Sequence, residues 1–268
     1  MKVILSRKGF DSEYGGIASP ILPDGTLLSL PIPYDQDIIK YTELNYQGKS
    51  YYDIINQLSR ADKRISKKHT AHLDPDIRQE CLSNRTKAWR PIFGQSDAAL
   101  GHLYKQGVNI GDLFLFFGWF RQTEEVQDKL RFVKGSPNQH IIYGYLQIDQ
   151  IITNTEPLPD YALQHPHANS FHRSKALNSI FVGMQNLSFA PSHPGAGTLS
   201  FSVKRVLTQA GQSRSRWGLP DFFKELNISY HTTNSFKSGY FQSAAKGQEF
   251  VIQPDSRLTE WAKDIVQR

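Results

Sequence analysis

The sequence predicts an α+β fold, with a mixed sheet or a partly open β-barrel as its core and several short flanking helices. Two long apolar segments, residues 111–121 and 141–152, are rich in aromatic and β-branched side chains that suit buried strands. Shorter apolar runs alternate with turn residues, and the chain has 14 prolines and 19 glycines. We expect a single domain over residues 1–268, because no linker is long or biased enough to divide the chain.

Near the N-terminus, residues 2–5 are predicted to form a short buried strand that leads into a glycine-punctuated loop at 9–16. A further short segment, residues 26–31, follows a Pro-Asp-Gly turn at 23–25. A loop at the end of a buried strand is a common place for a ligand in folds that contain helices and strands.

Helical periodicity predicts a first helix over residues 51–59 and a second over 96–106. The second helix has Ser96 as its N-cap and ends at Gly107. After a proline-rich connector, residues 165–173 are predicted to be a histidine-rich loop. Further along the chain we expect short strands at 179–182, 186–190 and 198–207, a proline-started helix at 220–226 and a final helix at 258–266.

The net charge of +6 favours a polyanionic partner, since lysine and arginine side chains on phosphates release counterions. Positive charge is concentrated at residues 60–68 and 213–217, although each run could equally be a solvated surface. The single cysteine, Cys81, excludes an intramolecular disulfide. No apolar run reaches the length of a membrane span or signal peptide, so we expect a cytoplasmic protein without a membrane partner.

The segment HLDPDI places His72, Asp74 and Asp76 at alternate positions, which in an extended chain would point to one side. Two carboxylates beside an imidazole form an acid–base cluster that suits catalysis. The alternative is a turn in which one aspartate caps the next segment, or in which Arg78 is a salt-bridge partner.

His165, His167 and His172 suggest a metal site, because imidazole is a common ligand of transition metals. The chain lacks the C-x-x-C and H-E-x-x-H patterns, and such histidines more often bond to backbone carbonyls or phosphates. We therefore expect no bound metal and no cofactor, with His165 and His167 as substrate-binding residues.

The loop SRKGFDSEYGG offers Arg7 and Lys8 for a phosphate and Asp11 for a base edge or a water molecule. It carries neither a dinucleotide fingerprint nor a phosphate loop, and G-x-S-x-G is absent from the chain, which disfavours acyl transfer. An ordinary connecting loop is the alternative.

Several polar and aromatic residues could recognise a nucleobase. Gln95 carries the donor and acceptor that read a base edge, and aromatic rings offer stacking surfaces. The residues that we expect to bind a base in this way are Gln95, Trp119, Arg121, Tyr143, Arg216 and Trp217.

These motifs resemble the nucleotide modification associated domain 3 family of bacteria and phages. The likeness rests on SRKGFD, GGIASPILPDGTLLSLPIP, HLDPDI, GDLFLFFGWFR, HIIYGYLQI and HPHA, which run through most of the chain. The family is tied by genomic context to DNA base modification, so the resemblance implies a nucleic-acid or nucleotide substrate. Its motifs contain Asp11, Asp74, Asp76, Arg121 and His167.

Our leading interpretation is an enzyme that flips a plain or modified base of DNA into an aromatic pocket and either cleaves or transfers at the glycosidic bond. His72, Asp74, Asp76 and Asp11 are its candidate catalytic residues. The alternative is a non-catalytic reader of the PUA or ASCH type, in which Trp119 and Tyr143 stack on the base. Both interpretations expect the HLDPDI acids and the GWFR segment to share one cavity.

Overall fold

The computed structural model of the protein describes residues 1–245 and 247–267. Its helices are α1 (Tyr51–Leu58), α2 (Asp97–Lys105), α3 (Ser170–Arg173) and α4 (Ser256–Gln267). Its strands are β1 (Val3–Arg7), β2 (Ser19–Ile21), β3 (Asn45–Tyr46), β4 (Lys49–Ser50), β5 (Ile92–Ser96), β6 (Leu113–Val126), β7 (Lys129–Phe132), β8 (Gln139–Thr153), β9 (Asn178–Gly183), β10 (Asn186–Leu187), β11 (Ala190–Pro194), β12 (Ala196–Thr198), β13 (Arg216–Trp217), β14 (Phe236–Lys237), β15 (Tyr240–Gln242) and β16 (Glu249–Ile252).

The predicted fold class is confirmed, because a mixed, open sheet of nine strands forms the centre of the described molecule. The main path runs β16-β1-β6-β8-β9-β5, while β2 and β7 pair with β6 and β12 pairs with β8. Strands β1 and β2 lie parallel to β6, and the other pairs of this sheet are antiparallel.

The two long apolar segments form β6 and β8, which pair as antiparallel neighbours at the middle of the sheet. Side chains alternate between the faces, so Leu115 and Phe117 pack with α4 on one side, and Phe114 and Phe116 pack with α2 on the other. Both faces are covered, and these four side chains have no exposed surface. Our expectation that aromatic rings of β6 form a stacking surface is therefore wrong for Phe114, Phe116 and Phe117, which fill the core.

The main path ends in the edge strands β5 and β16. Side chains of these two strands contact each other, but their backbones do not pair. Gln95 Nε2 on β5 donates a hydrogen bond to Glu249 Oε1 on β16 at 2.7 Å. The Lys8 ammonium, just after β1, lies 3.1 Å from the same Oε1 atom and 4.5 Å from the ring centroid of Phe93 on β5. The sheet curls until its edges nearly meet, and it stays open there.

The predicted helices over 51–59, 96–106 and 258–266 are confirmed as α1, α2 and α4, and the segment 220–226 forms a 3₁₀ helix at Asp221–Glu225. Residues 165–173 are more ordered than the loop that we expected, with a 3₁₀ turn at Pro166–Ala168 followed by α3. The expected strand at 198–207 is wrong beyond β12, since Val203–Arg205 forms a 3₁₀ turn. None of the described helices has the length and apolar character needed to cross a bilayer.

Candidate functional site

A cavity of about 560 Å³ opens where the two edges of the sheet approach each other. We call it the histidine cavity. Its lining includes Arg7, Lys8, Asp11, Tyr34, His72, Asp74, Gln95, His167, His172 and Lys175.

Seven of the residues that the sequence predicted to be catalytic or to bind substrate line this cavity together. They come from the end of β1 and the loop after it, from the segment after residue 70, from β5 and from the 3₁₀ turn at Pro166–Ala168. The seven are Arg7, Lys8, Asp11, His72, Asp74, Gln95 and His167.

His72 is held by a buried carboxylate behind it. Its Nδ1 atom lies 2.7 Å from Asp37 Oδ2, and the Asp37 side chain is 2% exposed. Because a carboxylate accepts hydrogen bonds, the His72 proton belongs on Nδ1 and Nε2 is left with a free lone pair. Histidines that bind metals are commonly oriented in this way.

The tautomer of His167 follows from the hydrogen bonds of Asn178. The Asn178 Nδ2 group donates to Asn154 Oδ1 and to the His167 carbonyl oxygen, both at 3.0 Å, which identifies Oδ1 as the acceptor. Nδ1 of His167 lies 2.6 Å from this oxygen and must therefore donate to it. Nε2 of His167 is again the atom that carries a free lone pair. Burial lowers the pKa of His167 well below its usual value, so the ring is neutral near neutral pH.

His172 is a buried imidazole without a hydrogen-bond partner at either ring nitrogen. It is 4% exposed and lies on α3, whose N-cap Asn169 accepts a hydrogen bond from the His172 backbone N–H group. Its ring centroid is 4.4 Å from that of His167 and 5.4 Å from that of His72. Burial lowers its pKa to about 4, and the positive charge of Lys175 acts in the same direction.

Asp74 is the buried carboxylate of the cavity. Its Oδ1 atom accepts a hydrogen bond from the Gly94 backbone N–H group at 2.7 Å, and His165 Nε2 lies 3.2 Å from the same oxygen. Burial alone would raise the pKa of Asp74. The His165 contact and the positive charge of Lys8 outweigh burial, so the pKa lies far below its ordinary value and the group stays ionised.

The two cations that we expected to hold a phosphate already have partners. The Arg7 guanidinium donates to the carbonyl oxygens of Ala244 and Ala245, at 2.7 and 3.1 Å. Lys8 is paired with Glu249, whose side chain is 1% exposed. Asp11 also serves its own loop, since Oδ1 accepts the backbone N–H groups of residues 13 and 14. A phosphate would therefore have to share these cations with their present partners.

Asp76 does not join the cavity. It forms a buried bidentate ion pair with Arg85, with N–O distances of 2.6 and 2.5 Å. The alternation expected for HLDPDI fails because the chain here is not a regular strand. The backbone N–H groups of Leu73 and Asp74 donate two residues back, to Ala71 and His72, which makes two consecutive tight turns.

Four further candidates lie outside the histidine cavity. Tyr143 is 3% exposed and packs against Phe116 and Phe120. Trp217 has no exposed surface, and Arg216 lies over the ring of Tyr240, 4.8 Å from its centroid. His165 contacts Asp74 from behind rather than facing the cavity.

Trp119 and Arg121 line a separate cavity of about 320 Å³, which we call the tryptophan cavity. Our expectation that the HLDPDI acids and the GWFR segment share one cavity is therefore wrong. The two cavities are neighbours along the loop after β1, since residues 11, 13 and 14 line the histidine cavity and residues 16–18 line the other. Arg60 and Lys63 add positive charge to the tryptophan cavity. The Arg214 guanidinium stacks on the Trp119 ring, 4.1 Å from its centroid.

Four residues of the site were not predicted from the sequence: Asp37, Tyr34, Asn178 and Lys175. Asp37 and Tyr34 stand in a loop without a motif, and Asn178 begins β9, where its amide is turned towards the histidines. An Asn or Asp near a histidine-rich segment is too common a pattern to identify such partners without the fold.

Two overlapping groups of side chains could hold a metal ion, and they share His72. One consists of Asp37, His72 and His172, and the other of His72, Asp74 and His167. In each group one ligand atom per residue lies within 4.8 Å of the others.

A family model described as nucleotide modification associated domain 3 matches residues 2–253 of the 268-residue chain. No curated protein and no solved structure matches the chain.

Proposed function

Since the chain belongs to the nucleotide modification associated domain 3 family, we propose that it is an enzyme that acts on a nucleotide of DNA in the histidine cavity. One observation carries this proposal. An ionised, buried carboxylate and three histidines, drawn from distant parts of the chain, share one cavity with cationic and amide side chains. Perturbed titratable groups that meet in a cleft are the usual mark of an active site.

The size of the cavity suits a single nucleotide. Pockets for small ligands range from about 300 to about 1,000 Å³, and the histidine cavity lies inside that range. A base inside a duplex cannot reach a cavity of this kind, so the enzyme would act on an everted or unpaired nucleotide. Gln95 also lines the cavity, and the edge of a base would have to compete with Glu249 for the hydrogen bond of its amide.

We assign the reacting centre to Asp74. A carboxylate that stays ionised can offset the positive charge that develops on a sugar as the glycosidic bond breaks. The finer reaction that we propose is hydrolysis of the glycosidic bond: the oxygen of water bonds to C1′, the C1′–N bond breaks, and the base leaves with a proton from that water.

The tryptophan cavity is the part of the surface that we assign to the DNA strand next to the everted nucleotide. It combines the indole ring of Trp119 with Arg60, Lys63 and Arg121, and proteins bind single strands through aromatic rings among cations. Its position on the other side of the loop over residues 11–18 would let a strand pass while one nucleotide enters the histidine cavity.

The non-catalytic reader is the outcome that would compete with this proposal. It required both Trp119 and Tyr143 to stack on a base, but the Tyr143 ring is buried between other rings. In a non-catalytic base-binding protein, only Trp119 would remain to stack on the base. The buried Asp74 carboxylate would then have no role in binding.

The test is mass spectrometry of the nucleosides and free bases in DNA incubated with the protein. The substrates are plain DNA and a panel of DNAs that contain hydroxymethylcytosine, hydroxymethyluracil or glucosylated bases. We expect the wild-type protein to release or change a base, and Asp74→Asn to bind the same DNA without changing it. Binding without any change across the panel would favour the reader.

The matched control is Asp128→Asn, the same chemical change at an exposed turn between β6 and β7. Asp128 has a φ of 58°, a conformation that asparagine tolerates well. This variant should keep full turnover. Equal turnover of Asp74→Asn and the wild type would remove Asp74 from the reacting centre.

A further inference from the structure

We propose that the histidine cavity binds one divalent transition-metal ion through His72 Nε2, His167 Nε2 and the Asp74 carboxylate. The inference goes beyond the proposed function and does not depend on it, because it concerns metal binding alone. It rests on three independent features of the cavity: the direction of two ring nitrogens, an unpartnered imidazole beside them, and the spacing of the ligand atoms.

The first feature is that both histidines turn the same nitrogen away from their protein partners. Asp37 holds the Nδ1–H group of His72, and Asn178 holds the Nδ1–H group of His167. Each ring is thereby fixed in the tautomer whose Nε2 carries the lone pair that a metal needs. Carboxylate and amide oxygens behind the ring are the usual partners of metal-binding histidines.

The second feature is His172. Its two ring nitrogens are buried and make no hydrogen bond, whereas His72 and His167 beside it each make one through Nδ1. A buried polar group without a partner costs about 1–3 kcal/mol, so native proteins seldom keep one without a reason. Its ring lies against those of His72 and His167, where it can donate to a metal-bound water or serve as a further ligand.

The third feature is the distance between the ligand atoms. One atom from each of His72, Asp74 and His167 lies within 4.8 Å of the other two. With metal–ligand bonds of about 2.1 Å, ligands around a tetrahedral ion are about 3.4 Å apart, so rotations that move each atom by up to about 1 Å would close the site.

The donor set points to the kind of ion. Two imidazoles and a carboxylate suit Zn²⁺, Fe²⁺, Mn²⁺ or Co²⁺, whereas Mg²⁺ and Ca²⁺ prefer oxygen ligands. Three protein ligands leave positions open for water and substrate. Cys81 is buried beside Arg85 and takes no part in the cavity lining.

The experiment uses the full-length protein after removal of metal with a chelator. Zn²⁺ and Co²⁺ are added separately, and elemental analysis after gel filtration and calorimetry give stoichiometry and affinity. We expect one tightly bound ion per chain, no binding of Mg²⁺, and a Co²⁺ absorption spectrum without the charge-transfer band of a thiolate ligand. Wild-type protein that retains no Zn²⁺ or Co²⁺ overturns the inference.

The variants His72→Gln and His167→Gln identify the ligands, and His193→Gln on β11 is the matched control outside the cavity. We expect the two cavity variants to lose affinity by more than the roughly 10–100-fold that loss of an orienting partner costs. The control should bind like the wild type. Circular dichroism shows whether each variant is folded, and His72 is the safer site because its side chain is 14% exposed. Unchanged affinity in a folded His72→Gln protein overturns the inference.

Metal binding and turnover can fail separately. If the protein binds Zn²⁺ but leaves every DNA unchanged, metal binding is supported and the proposed function is contradicted. If the protein binds no metal and changes DNA in the presence of a chelator, the proposed function is supported and metal binding is contradicted.

Discussion

Gly94 on β5 lies so close to the imidazole of His167 that no larger residue fits between the strand and the ring. A Cβ added at Gly94 would stand 2.7 Å from the Cβ of His167 and nearer still to its ring carbons. The Gly94 backbone N–H group also donates to Asp74 Oδ1. One glycine therefore sets the positions of both a histidine and the carboxylate of the cavity.

Gly94→Ala should disable the site while the fold survives. The methyl group would push the His167 ring out of line with His72 and Asp74, and overpacking of this kind costs about 1–3 kcal/mol of stability. We expect the turnover of DNA and the affinity for Zn²⁺ both to fall at least about tenfold, because displacing a catalytic group by about 1 Å lowers the rate by at least that factor. Turnover assays and calorimetry on the purified variant measure this.

Gly101→Ala is the control for this variant. Gly101 lies inside α2, and an added Cβ would meet only Leu177 Cδ1, at an ordinary distance of 3.7 Å. Alanine in place of glycine inside a helix should raise stability by about 0.5–1 kcal/mol and leave turnover unchanged. If both glycine variants behave alike, the contact between Gly94 and His167 has no functional meaning.

Asp76→Asn should reduce stability rather than chemistry. The change leaves the Arg85 guanidinium, with a side chain only 6% exposed, without its carboxylate, and breaking a buried ion pair costs roughly 3–5 kcal/mol. We expect a lower midpoint in urea unfolding, and turnover within about twofold of the wild type in folded protein. Lost turnover at unchanged stability would instead give Asp76 the catalytic role that the sequence suggested.

The sheet was the predictable part of this fold. The long apolar segments of β6 and β8 have no other state that buries so many aromatic and β-branched residues. Their local pattern cannot show that both faces are covered, because coverage depends on α2 and α4, which come from other parts of the chain. For that reason Phe114, Phe116 and Tyr143 could be mistaken for a binding surface.

The residue types of the site were also predictable, but their grouping was not. His72, Asp74 and His167 were evident from HLDPDI and HPHA, whereas the curl that brings β5 against the end of β1 depends on contacts far apart in sequence. The separation of Asp74 from Asp76 depends on backbone turns, and the partners Asp37 and Asn178 became visible only through their hydrogen bonds.

The tryptophan cavity should account for most of the salt dependence of DNA binding. Arg121→Ala and Lys63→Ala should each lower the slope of log affinity against log salt by about 0.7–0.9, because each cation neutralises about one phosphate. Trp119→Ala should weaken binding by about 1–3 kcal/mol with the slope unchanged. Fluorescence anisotropy over a salt series gives both quantities.

Lys263→Ala on α4 is the control for this series, since Lys263 pairs with Glu260 and lines neither cavity. It should alter neither the affinity nor the slope. If Lys263→Ala lowers the affinity for DNA and the salt slope as much as Arg121→Ala does, DNA binds through general surface charge.

His140 should make the protein less stable in acid. Burial, followed by repulsion from Arg7 and Arg214, lowers its pKa to about 3. Below about pH 6.5 His140 is therefore protonated in the unfolded chain but stays neutral in the folded protein. The free energy of unfolding falls as the pH drops from about 6.5 towards 3. The free energy of unfolding should fall by about 1.4 kcal/mol per pH unit in this range, which amounts to a loss of about 2 kcal/mol at about pH 5.

His140→Gln should flatten this dependence, because the glutamine carbonyl can still accept the hydrogen bond that Trp217 Nε1 donates to His140 Nδ1. Urea unfolding at about pH 7 and about pH 5, in chelator, measures the difference. His193→Gln should keep the wild-type slope. Equal slopes for wild type and His140→Gln would show that His140 is protonated in the folded protein.

Nuclear magnetic resonance of protein labelled with ¹⁵N in histidine and tryptophan tests directly whether a nucleotide enters the histidine cavity. Metal-free protein is titrated with the DNA that it changes. We predict that the Nε2 signals of His72 and His167 shift at the same DNA concentrations as the indole signal of Trp119, while the signals of His193 stay in place. Shifts confined to Trp119, with the signals of both cavity histidines unmoved at saturation, would mean that no nucleotide enters the histidine cavity.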